Sequence, residues 1–140
     1  MAITQGMCTS FKKELLEGVH DFTSDTFYIA LFDENATLGP QATTVYSTTD
    51  EVSGSGYSAG GAAITAVAPT SLGTAAWSDF EDVIFSTVSI TARGALIYNS
   101  SKANRAVSVL DFGYNVSKIA SDLTITFPTA DAQNAIVRVL

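Results

Sequence analysis

Two hydrophobic periods divide the chain. Near its start Phe11, Leu15 and Val19 recur at i, i+4 and i+8 with Lys and Glu between them, which predicts a short amphipathic helix. Thr9 or Ser10 is placed to cap that helix and Gly18 to end it. Two turns are marginal alone, so the apolar stripe must pack on something. After Asp25 the period becomes two. Phe27, Ile29 and Leu31 alternate with Tyr28, Ala30 and Phe32, as expected of a central strand covered on both faces. Further short strands are expected over Ala63–Ala68, Thr74–Trp77, Val83–Ile90, Ala95–Tyr98, Ala106–Phe112, Leu123–Phe127 and Ile136–Leu140. Residues 33–61 are polar and glycine-rich, and read as a long loop with one short strand near Tyr46.

Seven to eight short strands without helical crossovers predict an all-β fold, an antiparallel β-sandwich or barrel with one short N-terminal α-helix. With no linker or internal repeat, the 140 residues divide into an arm over 1–9 and a single domain over 10–140. Composition agrees. Charged residues make up 15%, below the roughly 25% of an average soluble domain, while 17 threonines and 15 serines supply the polarity.

Net charge is −7, and the seven basic residues are scattered, which argues against nucleic acid as a partner. No apolar run is long enough for a membrane helix, and the first residues lack a secretory signal, so synthesis in the cytoplasm is expected. One cysteine, Cys8, excludes an internal disulfide. Three matches to the N-glycosylation pattern, at Asn35, Asn99 and Asn115, are expected by chance in so Ser/Thr-rich a chain.

Gly56-Tyr57-Ser58-Ala59-Gly60 matches the G-x-S-x-G nucleophile elbow, but the one histidine, His20, precedes the serine and a strand-like segment follows it. A glycine-rich turn is the expectation. Gly54-x-Gly56-x-x-Ala59 lacks the apolar strand and the helix that a dinucleotide site needs. His20 with Asp21 and Asp25, and the short runs Asp33-Glu34 and Asp79 to Asp82, offer too few converging ligands for a metal. The acidic runs read instead as charged strand edges. Trp77 and Phe80 read as core anchors, Arg93-Gly94 as a turn, bulge or interface contact, and Lys102 to Arg105 as a hairpin loop. Neither catalytic residues nor a cofactor are expected.

Several strings then stand out in order: Phe11-Lys-Lys-Glu-Leu-Leu-Glu-Gly, Asp25-Thr-Phe-Tyr-Ile-Ala-Leu-Phe, Glu51-Val-Ser-Gly-Ser-Gly-Tyr-Ser-Ala-Gly-Gly, Thr91-Ala-Arg-Gly-Ala-Leu-Ile-Tyr-Asn and Asn104-Arg-Ala-Val-Ser-Val-Leu-Asp-Phe-Gly. Together they resemble small virion structural proteins of tailed double-stranded DNA bacteriophages, and among these the capsid decoration, or cement, proteins. The resemblance runs from Phe11 to the C-terminus. It implies a β-sandwich or barrel subunit, trimeric, bound to the major capsid protein on the outside of an icosahedral head. It supplies no active site.

Candidate interaction residues are Ile3 and Met7 on the arm, Phe11 and Leu15 on the helix, Tyr57 in the long loop, and Arg93, Lys102 and Arg105 at turns. Loss of the first eight residues is expected to abolish shell binding and leave the domain folded. The rival readings are a neck, tail or fibre component, a carbohydrate-binding module using Trp77 or Tyr57, and an esterase built on Ser58.

Overall fold

The structure, a computed structural model, describes residues 2–139. Met1 of the expected arm and Leu140 of the expected last strand lie outside the described residues. In chain order the elements are β1 (Gly6–Met7), α1 (Thr9–Leu16), β2 (Phe27–Phe32), β3 (Ala62–Ile64), β4 (Ala66–Leu72), β5 (Ala75–Phe80), β6 (Val83–Asn99), a 3-10 turn (Ser100–Lys102), β7 (Arg105–Ile125) and β8 (Val137–Val139). All strand pairings are antiparallel. One sheet has the order β1-β7-β6-β2-β3 and the other β4-β5-β8, the two-sheet, all-β arrangement expected from the strand pattern.

The strands are fewer in the middle of the chain, and longer, than their apolar runs suggest. Val83–Ile90 and Ala95–Tyr98 fuse into the 17 residues of β6, and Ala106–Phe112 and Leu123–Phe127 join through a polar middle into the 21 residues of β7. Bulges explain the gap between pattern and strand. The β6–β7 register shifts between Phe85 and Val88, Val88 and Ile90, and Ala92 and Gly94, and each shift breaks the alternation of buried and exposed positions. Arg93 sits at the last of these, where a turn or bulge was expected. The Lys102–Arg105 loop closes the hairpin, with Ala103 and Asn104 both left-handed.

β2 is the expected central strand, paired with β6 and β3 and buried on both faces, with Tyr28 alone half-buried. Pro69, just past the expected strand Ala63–Ala68, lies on β4, whose outer side is free at the edge of the small sheet. No strand forms near Tyr46; Val45 makes a single bridge to Arg105.

Helix α1 ends as expected. Val19 N–H bonds the Glu14 carbonyl at 3.0 Å and Gly18 N–H that of Leu15 at 3.2 Å, the paired bonds of a Schellman end. Its start differs from the expectation. Cys8 holds the cap position in extended backbone and no side chain caps the turn, while the Ser10 hydroxyl is buried without a partner.

A file of aromatic rings runs through the core: Phe11–Phe22 at 5.9 Å, Phe22–Phe27 at 4.6 Å, Phe27–Phe80 at 5.6 Å and Phe80–Phe127 at 5.8 Å. It links α1, the connector after it, both sheets and the segment beyond β7 through one cluster. Phe80 is thus the core anchor expected of it. Trp77 is only half-buried and lines a surface groove.

Residues 2–9 are tied to the rest of the domain at several points. β1 pairs with β7 at Val109 and Ser108, Thr4 N–H bonds the Leu38 carbonyl at 2.9 Å, and Cys8 is fully buried with its N–H on Val107. Burial pushes the Cys8 thiol up to about 11, with the Glu14 charge adding to the effect. Deleting residues 1–8 removes a strand and a core side chain. The truncated chain is expected to lose roughly 3 kcal/mol, read as a lower urea midpoint.

Asp79, read as an edge charge, is 1% exposed. One carboxylate oxygen accepts the Phe80 N–H at 2.9 Å and the other has no partner among the described residues. Burial raises its pKa, and the charges of Asp82 and Asp131 raise it further. A carboxyl whose folded pKa lies above its unfolded value stabilises fully only below the unfolded value, and that contribution is lost as pH rises through the folded one. Asp79→Asn is therefore expected to raise the melting temperature at pH 7, with the gain over wild type shrinking as pH falls toward 4.

Candidate functional site

The long loop is held by one carboxylate. Glu51 accepts the Tyr46 hydroxyl at 2.6 Å with one oxygen, and the Tyr57 hydroxyl at 2.6 Å and Gly60 N–H at 2.8 Å with the other. Tyr57, a candidate contact residue, faces inward. Its hydroxyl also accepts Leu31 N–H at 2.9 Å, and Val52 N–H bonds the Leu31 carbonyl. The loop thereby continues along β2 where β3 stops at the Ile29 pairing. Burial, then the Glu51 contact, pushes both tyrosine hydroxyls well above their usual pKa. Tyr98 stacks on Tyr46 at 4.5 Å and donates to the Gly60 carbonyl, with its own pKa raised by burial to about 12.

This network also accounts for the G-x-S-x-G string. A Cβ on Gly56 would lie 2.4 Å from the Thr87 carbonyl oxygen, and one on Gly61 would lie 1.8 Å from that of Ile29. Both have positive φ. The glycines let loop backbone press on strand backbone. Ser58 lies in the turn closed by the Gly61 N–H bond to its carbonyl, and His20 has other partners.

Those partners form a second node, at the closed end of the β6–β7 hairpin. Asn99, fully buried, donates from Nδ2 to His20 Nδ1 at 2.9 Å and to Asp25 Oδ2 at 2.8 Å, and its Oδ1 accepts Ser101 N–H. An amide donor on Nδ1 places the imidazole proton on Nε2, 2.9 Å from Glu14 Oε1. Lys102 pairs with Asp25 at 2.8 Å and Arg105 with Glu14 at 3.2 Å. Two of the three basic candidates are therefore tied to this node. It joins α1, the connector and the hairpin end. The neighbouring Asp21 is held low, at about 2, chiefly by the Thr23 hydroxyl and N–H.

The remaining candidates are dispersed. Phe11 is fully buried and belongs to the core rather than to any contact surface. Ile3, Met7 and Leu15 are partly buried against that core, and Arg93 bonds Asp111 Oδ1 at 3.2 Å across its bulge. Sequence reasoning missed two surface grooves. One, of about 440 Å³, is lined by Leu15, Phe22, Trp77, Val137 and Val139 between α1 and the small sheet. The other, of about 400 Å³, runs beside β7 and is lined by Phe112, Tyr114, Val116 and Lys118 on one wall and residues 122–126 on the other. Apolar residues at every second position over Phe112 to Val116 were the signal for the second. Among the described residues no three His, Cys, Asp or Glu side chains converge, and no helix is long and apolar enough to cross a membrane.

No protein-family model, curated protein or solved structure matches the chain.

Removing the Glu51 carboxylate orphans three donors at once. Glu51→Ala is expected to cost about 3 kcal/mol and to speed proteolysis within residues 47–60 ahead of global unfolding. Limited digestion followed by mass spectrometry reads both the site and the order.

Proposed function

We propose that the chain is a bacteriophage virion structural protein, a decoration subunit bound to the major capsid protein on the outside of an icosahedral head. Its family-like strings, in their order along most of the chain, motivate the reading. The observation that carries it is the distribution of charge. Four of the seven basic side chains, Lys13, Arg93, Lys102 and Arg105, are spent in ion pairs within the chain, so the surplus of acid is what the surface presents. Such a surface suits the exterior of a DNA-filled shell and repels its contents.

Mechanically, packed DNA pushes outward, and a subunit that bridges capsomers resists by adding contact area at many equivalent places. Rigid loops suit that task, because little further ordering is needed on docking. The Glu51 and Asn99 nodes supply that rigidity.

Counting copies by quantitative mass spectrometry, and locating them in a density map of the particle, tests the reading. A cement protein is present in hundreds on the head exterior, and heads stripped of it break at lower temperature until the purified chain is added back. A copy number in the tens, at a neck or tail, would assign the chain to a ring or fibre instead.

A further inference from the structure

After β7 the chain turns back and closes the small sheet, and this returning segment, residues 128–139, is tied to the body at few points. At its root Asp82 Oδ1 accepts Phe127 N–H at 2.8 Å. At its end β8 borders β5 alone, from Ser78 opposite Val137 to Ala76 opposite Val139. Ala135 and Val137 are buried. Between these ties the segment organises itself. Asp131 Oδ1 accepts Gln133 N–H at 2.9 Å and Asn134 N–H at 2.8 Å, the Asp131 carbonyl accepts Ala135 N–H, and Arg138 Nη1 donates to the Gln133 carbonyl. Those internal bonds survive when the pairings to β5 part. Lifting the segment also exposes far less surface than opening the β6–β7 ribbon, so it is the cheaper event.

Its seat contains a buried carboxyl. Asp79 lies on β5 next to the pairings with β8, and one of its oxygens has no partner among the described residues. Burial acts on it most strongly and favours the proton. Phe80 N–H from its own strand and Ile136 N–H from the segment favour the charge, while Asp82 at the next turn and Asp131 on the segment add to the effect of burial. The net direction is up. No cation offsets it. β4 carries no charged residue, and Glu81, beside Asp82, is exposed. Asp131 is itself held low, chiefly by the Asn134 amide, with the charge of Arg138, the one basic side chain of the segment, adding to it. Asp131 therefore stays ionised and keeps pressing on Asp79. An ionised Asp79 under the closed segment is an unpaired charge out of water; with the segment lifted, water reaches it.

We propose that residues 128–139 form a pH-gated strap, shut over β5 while Asp79 holds its proton and released as Asp79 ionises, with the β6–β7 ribbon intact. The carboxyl holds its proton more tightly in the closed form than in the open one, so opening releases a proton. The opening constant is flat below the open-form pKa, rises by up to about tenfold per pH unit above it, and levels once Asp79 ionises in the closed form as well. Release bares the flank of β5 and removes Val137 and Val139 from the wall of the groove beside Trp77. The strap is a property of the free chain and stands or falls apart from attachment to a shell.

Amide hydrogen exchange of the full chain, with intrinsic rates divided out, reads the opening directly. Protection of Ile136 to Val139 is expected to fall by about tenfold from about pH 5 to about pH 8, while the paired amides of β6 and β7 keep theirs. Asp79→Asn, close in volume and without charge, is expected to hold that protection constant across the range. Asp131→Asn removes one repelling charge, keeps an acceptor for the turn, and is expected to lessen the loss. Melting of both variants verifies that they are folded, and the wild-type profile is read without them. Wild-type protection at Ile136 to Val139 that is indifferent to pH would overturn the proposal. So would a loss shared equally by β6 and β7, which is global unfolding, or one that persists unchanged in Asp79→Asn.

Discussion

The pairing of β6 with β7 is the constraint on which the other elements depend. The two strands run together from Val83 opposite Ile125 to Asn99 opposite Arg105. β2 hangs on one side of this ribbon, β1 on the other, and the long loop lies along its far end. The ladder is not uniform. Its bulges bend the ribbon and break the alternation, as at Ser86 and Thr87, which are exposed in succession, so a two-stranded piece longer than most strands still curves around a core.

Around that ribbon the irregular chain is fixed by two carboxylate-centred nodes rather than by burial. Glu51 gathers two tyrosine hydroxyls and an amide. Asp25 and Glu14, through Asn99 and His20, gather both basic residues of the hairpin loop. Half-buried polar groups of this kind are costly unless all are satisfied, and once satisfied they admit few alternatives. In a charge-poor chain, a few carboxylates therefore settle the course of the connector after α1 and of the long loop from Tyr46 to Gly60.

What could be read beforehand divides along the same line. β2 was legible because both its faces are apolar, and the end of α1 because Gly18 follows its stripe. The lengths of β6 and β7 were not, because bulges at Ala92–Gly94 and near Val88 erase the period-two signal that marks a strand. The placing of Ile3, Met7 and Cys8 within the fold was hidden for another reason. A two-residue strand has no period at all, and its partners are remote. Asp79 reads as a surface charge by type, and only the tertiary structure buries it. Among the candidate contacts, Lys102, Arg105 and Tyr57 carried a genuine signal of importance, but their partners are internal. Residue type marks a polar node without saying whether it faces inward or outward.

The pairing of β1 with β7 has a temporal side. Gly6 and Ser108 lie 102 residues apart along the chain and meet in one hydrogen bond. During synthesis the segment around Gly6 leaves the ribosome early, and its landing place is made late, after both strands of the ribbon have emerged and found each other. Until then Met7 and Cys8 have no core to enter. The stretch around Gly6 is thus made well before its landing place, and its closure onto β7 waits on the finished ribbon.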